Sequence, residues 1–333
     1  MTNITMRTLI EQFSHHILES LDLAKNQPLP IMRSDLRQVV ISGLGGSGIG
    51  GTMVADLARP YAKWPVLVNK EYSIPACVDK QTLFIASSYS GGTEETLEAV
   101  HHALAAGAQV ICITSGGKLA DLAREKGLGL RLIPGGNPPR AAFGYSFSQL
   151  VDVFEWAGLL PEGTVNQLAK TAQWLGTQTA VIDALGKTWA EKLFDKMPII
   201  YCDAAMEGVA VRFRQQINEN GKMLCWHHVV PEMNHNELVG WTTNDPKLAV
   251  IFLRNSTDYV RNQTRIDINK TIVGKYTPHV HEMWSEGETN LDRMMYLVHL
   301  GDFVSLHLSD LRGVDVTEVR VIDFLKSELA RQA

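Results

Sequence analysis

The chain has 333 residues, more than one ordinary domain requires, so two units are expected. Its 45% hydrophobic and 20% charged content is that of a globular protein, and a net charge of −5 gives nucleic-acid binding no support while leaving room for a local basic site for an anionic metabolite. No apolar run is long enough to span a bilayer, the N-terminal residues lack a signal-peptide core, and Cys77, Cys112, Cys202 and Cys225 form no CxxC pair, so a cytoplasmic protein with reduced thiols and no membrane contact is expected.

Apolar positions Leu9, Ile10, Phe13, Ile17, Leu18, Leu21 and Leu23 recur at helical spacing and predict an amphipathic leading helix over residues 5–24. Strands are predicted at 38–43, 65–69, 82–87, 109–114 and 130–134, with helices at 52–58, 97–107 and 118–126 between them. Such alternation argues for a parallel sheet with right-handed crossovers. A rigid turn at 134–140 leads into helical patterns at 147–160 and 164–185. A second alternation follows: strands at 198–202, 222–226 and 248–253, helices at 206–218, 258–271, 291–308 and 316–331. The division between the two units is placed near residues 155–165, within helical sequence.

Two loops stand out. Gly43-Leu44-Gly45-Gly46-Ser47-Gly48 satisfies G-x-G-x-x-G between a strand and a helix, with Glu71 placed where a ribose-binding acid belongs, so a dinucleotide-binding oxidoreductase must be weighed. Residues 88–96, Ser-Tyr-Ser-Gly-Gly-Thr-Glu-Glu-Thr, also lie where a strand gives way to a helix. Unpaired N–H groups and the positive dipole end of a helix favour an anion there. Ser88, Ser90 and Thr93 add hydroxyls, and with Ser47 they could converge on one phosphate. The plainer alternative is an ordinary N-cap by Ser90 or Thr93, with Glu94 and Glu95 in the first turn.

The run from Gly45 to Gly51 followed by Ser87 to Thr96 resembles the sugar isomerase (SIS) domain. More narrowly, the chain resembles the bifunctional phosphoglucose/phosphomannose isomerase family. The likeness continues through Pro138-Pro139-Arg140-Ala141, Asn218-Glu219-Asn220, Asn234-His235-Asn236-Glu237 and residues 322–326, in order along nearly the whole chain. It departs from the family's usual Asn at Gly92 and its usual Pro at Val316; the first could loosen the phosphate loop. The resemblance implies an α/β fold of two SIS-type subdomains, 1–160 and 161–333, each a mainly parallel sheet flanked by helices in a three-layer sandwich. It implies aldose–ketose isomerisation of glucose 6-phosphate and mannose 6-phosphate with fructose 6-phosphate through a cis-enediol, with no metal and no cofactor. A homodimer with shared active sites, in glycolysis and gluconeogenesis, belongs to the same expectation. A non-catalytic phosphosugar-binding SIS module is the alternative.

The chemistry asks for a phosphate anchor, a ring-opening proton donor, a base between C2 and C1, and a fixed cation for the developing enediolate. Gly46, Ser47, Ser88, Ser90 and Thr93 are the expected anchor. Glu219, at a helix end, is the candidate base, and the resemblance matches it to the family's catalytic glutamate. Arg140 follows two prolines that stiffen its backbone, and its permanent charge suits the enediolate. The resemblance assigns ring opening to His235, supplied across a dimer interface, and to Lys326 on the C-terminal helix, and it puts a threonine near Thr317 that widens the site. The pairs His101-His102 and His227-His228 and the residues His279 and His281 are the histidine clusters. Only His279 and His281 could share a strand face, and no metal site is expected.

Overall fold

The computed structural model describes residues 4–331; the first three residues of the N-terminal stretch lie outside it. The leading segment folds as two helices, α1 (Met6–Glu11) and α2 (Phe13–Lys25), where the periodicity predicts one. The first sheet contains β1 (Gln38–Ser42), β2 (Val66–Asn69), β3 (Thr82–Ser87), β4 (Gln109–Thr114) and β5 (Gly129–Leu132), all parallel in the order β2-β1-β3-β4-β5. Its helices are α3 (Gly45–Ala58), α4 (Glu94–Ala105), α5 (Gly117–Lys126) and α6 (Phe143–Trp156).

After a connection at 157–163 comes the long helix α7 (Thr164–Leu193). The Glu155 carboxylate ties that connection down by accepting from the backbone N–H of Gly163 (3.1 Å) and Val165 (2.6 Å). The second sheet has β6 (Met197–Asp203), β7 (Trp226–Val230), β8 (Leu248–Arg254) and β9 (Val280–Trp284), parallel in the order β7-β6-β8-β9. Helices α8 (Glu207–Glu219), α9 (Val260–Val273), α10 (Asn290–Arg312) and α11 (Arg320–Leu329) complete the chain.

The central strands read as continuous apolar runs because both their faces are buried. Val39, Ile41, Leu83, Ile85, Ile111 and Ile113 face a helical layer of α2, α3, α6, α7, α8 and α10, and so do Ile200, Cys202, Ile251 and Leu253 from the second sheet. The alternate residues face outward: Val40, Phe84 and Cys112 under α4 and α5, and Ile199, Tyr201, Val250 and Phe252 under α9. Two three-layer α/β units therefore share their inner helices.

Besides the leading segment, three elements differ from the sequence-based expectation. The first glycine loop is already helical: α3 starts at Gly45, seven residues before the predicted start. Its glycines let it lie against β1, since a Cβ on Gly48 would come within 2.3 Å of the Gly43 carbonyl and one on Gly51 within 2.8 Å of Ile41. Residues 222–225 are not strand. Lys222 has a left-handed backbone (φ 52°) and Met223 turns into the core, so β7 begins only at Trp226. The strand β9 was not predicted. It is an edge strand whose polar-apolar mixture, Val-His-Glu-Met-Trp, gives no apolar run.

Candidate active site

In the first sheet the strand order reverses between β1 and β3, and in parallel sheets a crevice opens at the carboxyl ends of such a pair. Both loops singled out from the sequence leave that point. They touch: the Tyr89 N–H donates to Ser47 Oγ (3.0 Å), and the Ser88 and Thr93 hydroxyls share a hydrogen bond of 2.8 Å. Ser47 and Ser88 are buried, Thr93 half-buried and Ser90 exposed, with Ser90 Oγ accepting from the Gly92 N–H at 3.3 Å.

Thr93 occupies the N-cap of α4, yet its hydroxyl makes no capping bond, because it is turned to Ser88. The N-cap of α3 is Leu44, which cannot cap. Two helices thus bring uncapped N-termini to one crevice, which is what an anion needs. Gly91 is required by geometry: its φ is +65°, and a Cβ there would lie 1.8 Å from the Gly116 carbonyl. Gly92 is different. Nothing lies within 4 Å of a Cβ added there and its φ is ordinary, so glycine at this position leaves the loop's shape intact.

A Cβ on Gly46 would meet the Pro139 carbonyl at 3.2 Å and Arg140 Cα at 3.4 Å, so the cradle rests directly on the proline turn that carries Arg140. The Arg140 side chain is buried, and each of its nitrogens is engaged. Nε donates to Asn220 Oδ1 (2.6 Å), Nη1 to Glu219 Oε2 (3.1 Å) and Nη2 to the Val316 carbonyl (2.6 Å). Burial pulls its pKa below the ordinary arginine value, and the adjacent Glu219 opposes that pull. Glu219 is the last residue of α8, where the helix dipole disfavours a carboxylate; Arg140 offsets this. A carboxylate able to take a proton and a guanidinium able to stabilise an oxyanion are therefore held in contact at the foot of this crevice.

Beneath this pair lies a buried circuit that sequence reasoning missed. Asn220 Nδ2 donates to Ser305 Oγ (2.9 Å), and Ser305 Oγ donates to the Asp302 carbonyl (2.7 Å). Arg212 Nη2 donates to Asp302 Oδ2 (2.6 Å) and back to the carbonyl of Arg140 (3.2 Å). The available signal was the pair Asp302 and Ser305, two polar residues three apart within the mainly apolar stretch 294–308 of α10. Lys222 was missed as well. Its ammonium donates to the main-chain carbonyls of Glu219 and Glu318.

Not every predicted residue joins the site. His235 ends a short turn, Glu232–His235, and is exposed. Lys326 lies on α11, which buries none of its residues. Among the described residues, neither has a hydrogen bond or ion pair to Glu219 or Arg140. Thr317 is exposed, and its N–H and hydroxyl both donate to Asp315 Oδ1 (2.8 and 2.7 Å); it adjoins the site through its neighbour Val316. Glu71 is exposed in a bend after β2. Surface depressions at Gln27–Pro30 with residues 128–130 and Leu132, and around Asp152, Glu155 and Val165, contain none of the predicted site residues. Among the described residues, no three His, Cys, Asp or Glu side chains are grouped to hold a metal.

Comparison with known proteins accords with this geometry. Residues 34–150 match the SIS domain family, and residues 182–329 match the bacterial phospho-glucose isomerase C-terminal SIS domain. The bifunctional phosphoglucose/phosphomannose isomerase of Caldicellulosiruptor bescii is 40% identical over 94% of this chain and 96% of its own length. A D-glucosamine-6-phosphate 4-epimerase of Sulfolobus acidocaldarius is 33% identical over 86% of this chain and 87% of its own. In fold, the C-terminal domain of glucosamine-fructose-6-phosphate aminotransferase from Francisella tularensis superposes with a TM-score of 0.75 at 14% identity, covering 94% of this chain and 98% of that one. The two SIS-type sheets, the helix-terminal crevice between β1 and β3, and 40% identity along nearly the full length together establish that the chain belongs to the bifunctional phosphoglucose/phosphomannose isomerase family.

Proposed function

We propose that the protein interconverts glucose 6-phosphate and mannose 6-phosphate with fructose 6-phosphate by proton transfer at Glu219, without a metal or cofactor. The observation that carries this reading is the Glu219–Arg140 contact of 3.1 Å beside two uncapped helix N-termini. Gly46, Ser47, Ser88, Ser90 and Thr93 anchor the phosphate. After ring opening, the Glu219 carboxylate takes the proton from C2 of the aldose, and the C1 carbonyl oxygen becomes the enediolate oxygen beside Arg140. A proton then passes from the 2-hydroxyl to O1, Glu219 returns its proton to C1, and the C2 oxygen collapses to the carbonyl; this completes the ketose with Glu219 again ionised. Rotation about C2–C3 before proton transfer presents either C2 epimer to one base, which admits both aldoses.

Ring opening falls to His235 and Lys326, and this reading requires a homodimer in which a second copy completes the site. Exposed apolar side chains support it. Val321, Phe324 and Leu325 of α11 are 81%, 65% and 58% exposed around Lys326, and Val239, four residues after His235, is 82% exposed. Apolar surface of this kind marks an interaction face. The division into units 1–160 and 161–333, a cytoplasmic location and a place in glycolysis and gluconeogenesis belong to the same reading.

A coupled assay from fructose 6-phosphate in EDTA, following each aldose 6-phosphate separately, tests it. Formation of both is expected, and formation of neither by a folded dimer refutes it. The same assay on glucosamine 6-phosphate separates isomerisation from 4-epimerisation, the activity named for the Sulfolobus relative.

A further inference from the structure

Lys222 stands three residues after the proposed base and is one of two non-glycine residues with a left-handed backbone among those described, the other being Asp195 (φ 57°). Lysine has no conformational reason to adopt φ 52°, and such a backbone persists only where the surroundings over-determine it. Its side chain shows what does so. The ammonium bridges two main-chain carbonyls: that of Glu219, left open by the end of α8, and that of Glu318, 96 residues further along the chain. Burial and the neighbouring Arg140 cation pull its pKa below the ordinary lysine value, while Glu318, Asp315 and Glu219 oppose them. A half-buried cation has thus exchanged part of its water for two carbonyls, close to another cation.

Glu318 belongs to the strap between α10 and α11. The same strap is held two residues earlier, where the Val316 carbonyl accepts from Arg140 Nη2. The strap is therefore tied to the site twice, once through the proposed enediolate cation and once through the peptide of the proposed base. We propose that Lys222 is a positioning residue: it fixes the main chain of Glu219 against the strap, so that base, cation and strap keep one geometry as the sugar is handled. Its catalytic consequence rests on the isomerase reading above; the tie itself does not.

Two substitutions separate side chain from backbone. Lys222→Gly removes the ammonium and also relieves the left-handed strain, so its melting temperature should equal or exceed that of the wild type. Lys222→Arg keeps a cation with several donors. Hydrogen exchange of peptides spanning 313–320 should be faster in Lys222→Gly by about tenfold or more, as expected when a local tie is lost. With fructose 6-phosphate, kcat should fall by about ten- to a hundredfold and KM should change by less than about threefold, since misplacement of a base affects the chemical step more than binding. Lys222→Arg should recover part of the lost kcat. Unchanged exchange at 313–320 in Lys222→Gly overturns the tie, and faster exchange with unchanged kcat overturns the positioning role. A fall in kcat accompanied by a lower melting temperature and no recovery in Lys222→Arg makes the residue merely structural and also overturns it. If the wild-type protein isomerises neither sugar phosphate, the functional reading fails, and the exchange measurement alone decides the tie.

Discussion

Asp302→Ala should be one of the most damaging substitutions distant from any substrate, and the structure says why. The Asp302 carboxylate accepts from Arg212 Nη2 (2.6 Å) and Gln216 Nε2 (2.8 Å), and the Arg212 and Asp302 side chains are only 2% and 6% exposed. Truncation leaves a buried guanidinium with one carbonyl and the face of Phe143, whose ring centre is 4.2 Å away. Breaking such a pair from one side costs about 3–5 kcal/mol, because the remaining charge stays desolvated. The orphaned Gln216 amide adds about 1–3 kcal/mol. The cation–π contact, worth about 1–2 kcal/mol, is made before and after the substitution and offsets none of this loss. The two losses fall in one network and do not simply add, so a net destabilisation of about 3–5 kcal/mol is expected, the range for breaking such a pair. The assay is urea unfolding at fixed protein concentration, since dimerisation would make the midpoint concentration-dependent. The double replacement Arg212→Met with Asp302→Leu removes both charges and should recover most of the loss. Because Arg212 also holds the Arg140 carbonyl, kcat of the single variant should fall even where it remains folded. A loss below about 1 kcal/mol for Asp302→Ala, or a double variant as unstable as the single, would refute the argument that the circuit is a desolvated charge pair.

Gly91→Ala should abolish tight phosphate binding and destabilise the fold, because its Cβ would lie 1.8 Å from the Gly116 carbonyl, whereas Gly92→Asn should bind inorganic phosphate as well as the wild type or better; competitive inhibition constants and melting temperatures check both. Glu219→Gln should lower kcat by about 10²–10⁴-fold with phosphate affinity nearly unchanged, since the amide oxygen still accepts from Arg140; an equal loss of binding would make Glu219 structural. Burial pushes the Asp258 carboxyl from 3.8 up to about 7. Its folded pKa exceeds its unfolded value, so its contribution is fully present below pH of about 4 and is lost as pH rises through about 7. Relative to Asp258→Asn, the wild type should therefore lose on the order of 3 kcal/mol between pH 4 and 8 in urea unfolding; a difference that grows with pH contradicts the burial argument.

The crevice was legible because its chemistry is local. Glycines and hydroxyls at strand-to-helix junctions announce an anion site in ten residues, and the parallel order that sets two such loops side by side follows from the strand–helix alternation. What the residues alone left open was whether Thr93 caps its helix. That depends on where one hydroxyl points, and it points to Ser88. The strand misplaced at 222–226 has a related cause. Met223 and Leu224 look like sheet core, but the left-handed Lys222 redirects the chain, and Met223 serves the helical layer instead. The circuit of Asn220, Ser305, Asp302 and Arg212 left only the spacing of Asp302 and Ser305 as a trace in the sequence, because its bonded partners on α8 and α10 lie up to 90 residues apart and meet only where those helices pack. His235 and Lys326 show the opposite limit. Their order in the chain marks them, yet one folded chain leaves both exposed on apolar surfaces. Exposed polar groups proposed to be functional, set among exposed large apolar side chains, suit a surface that something covers. In the reading proposed above that cover is a second copy, so dimerisation and ring opening should fail together while the Glu219–Arg140 pair, complete within one chain, survives in the monomer.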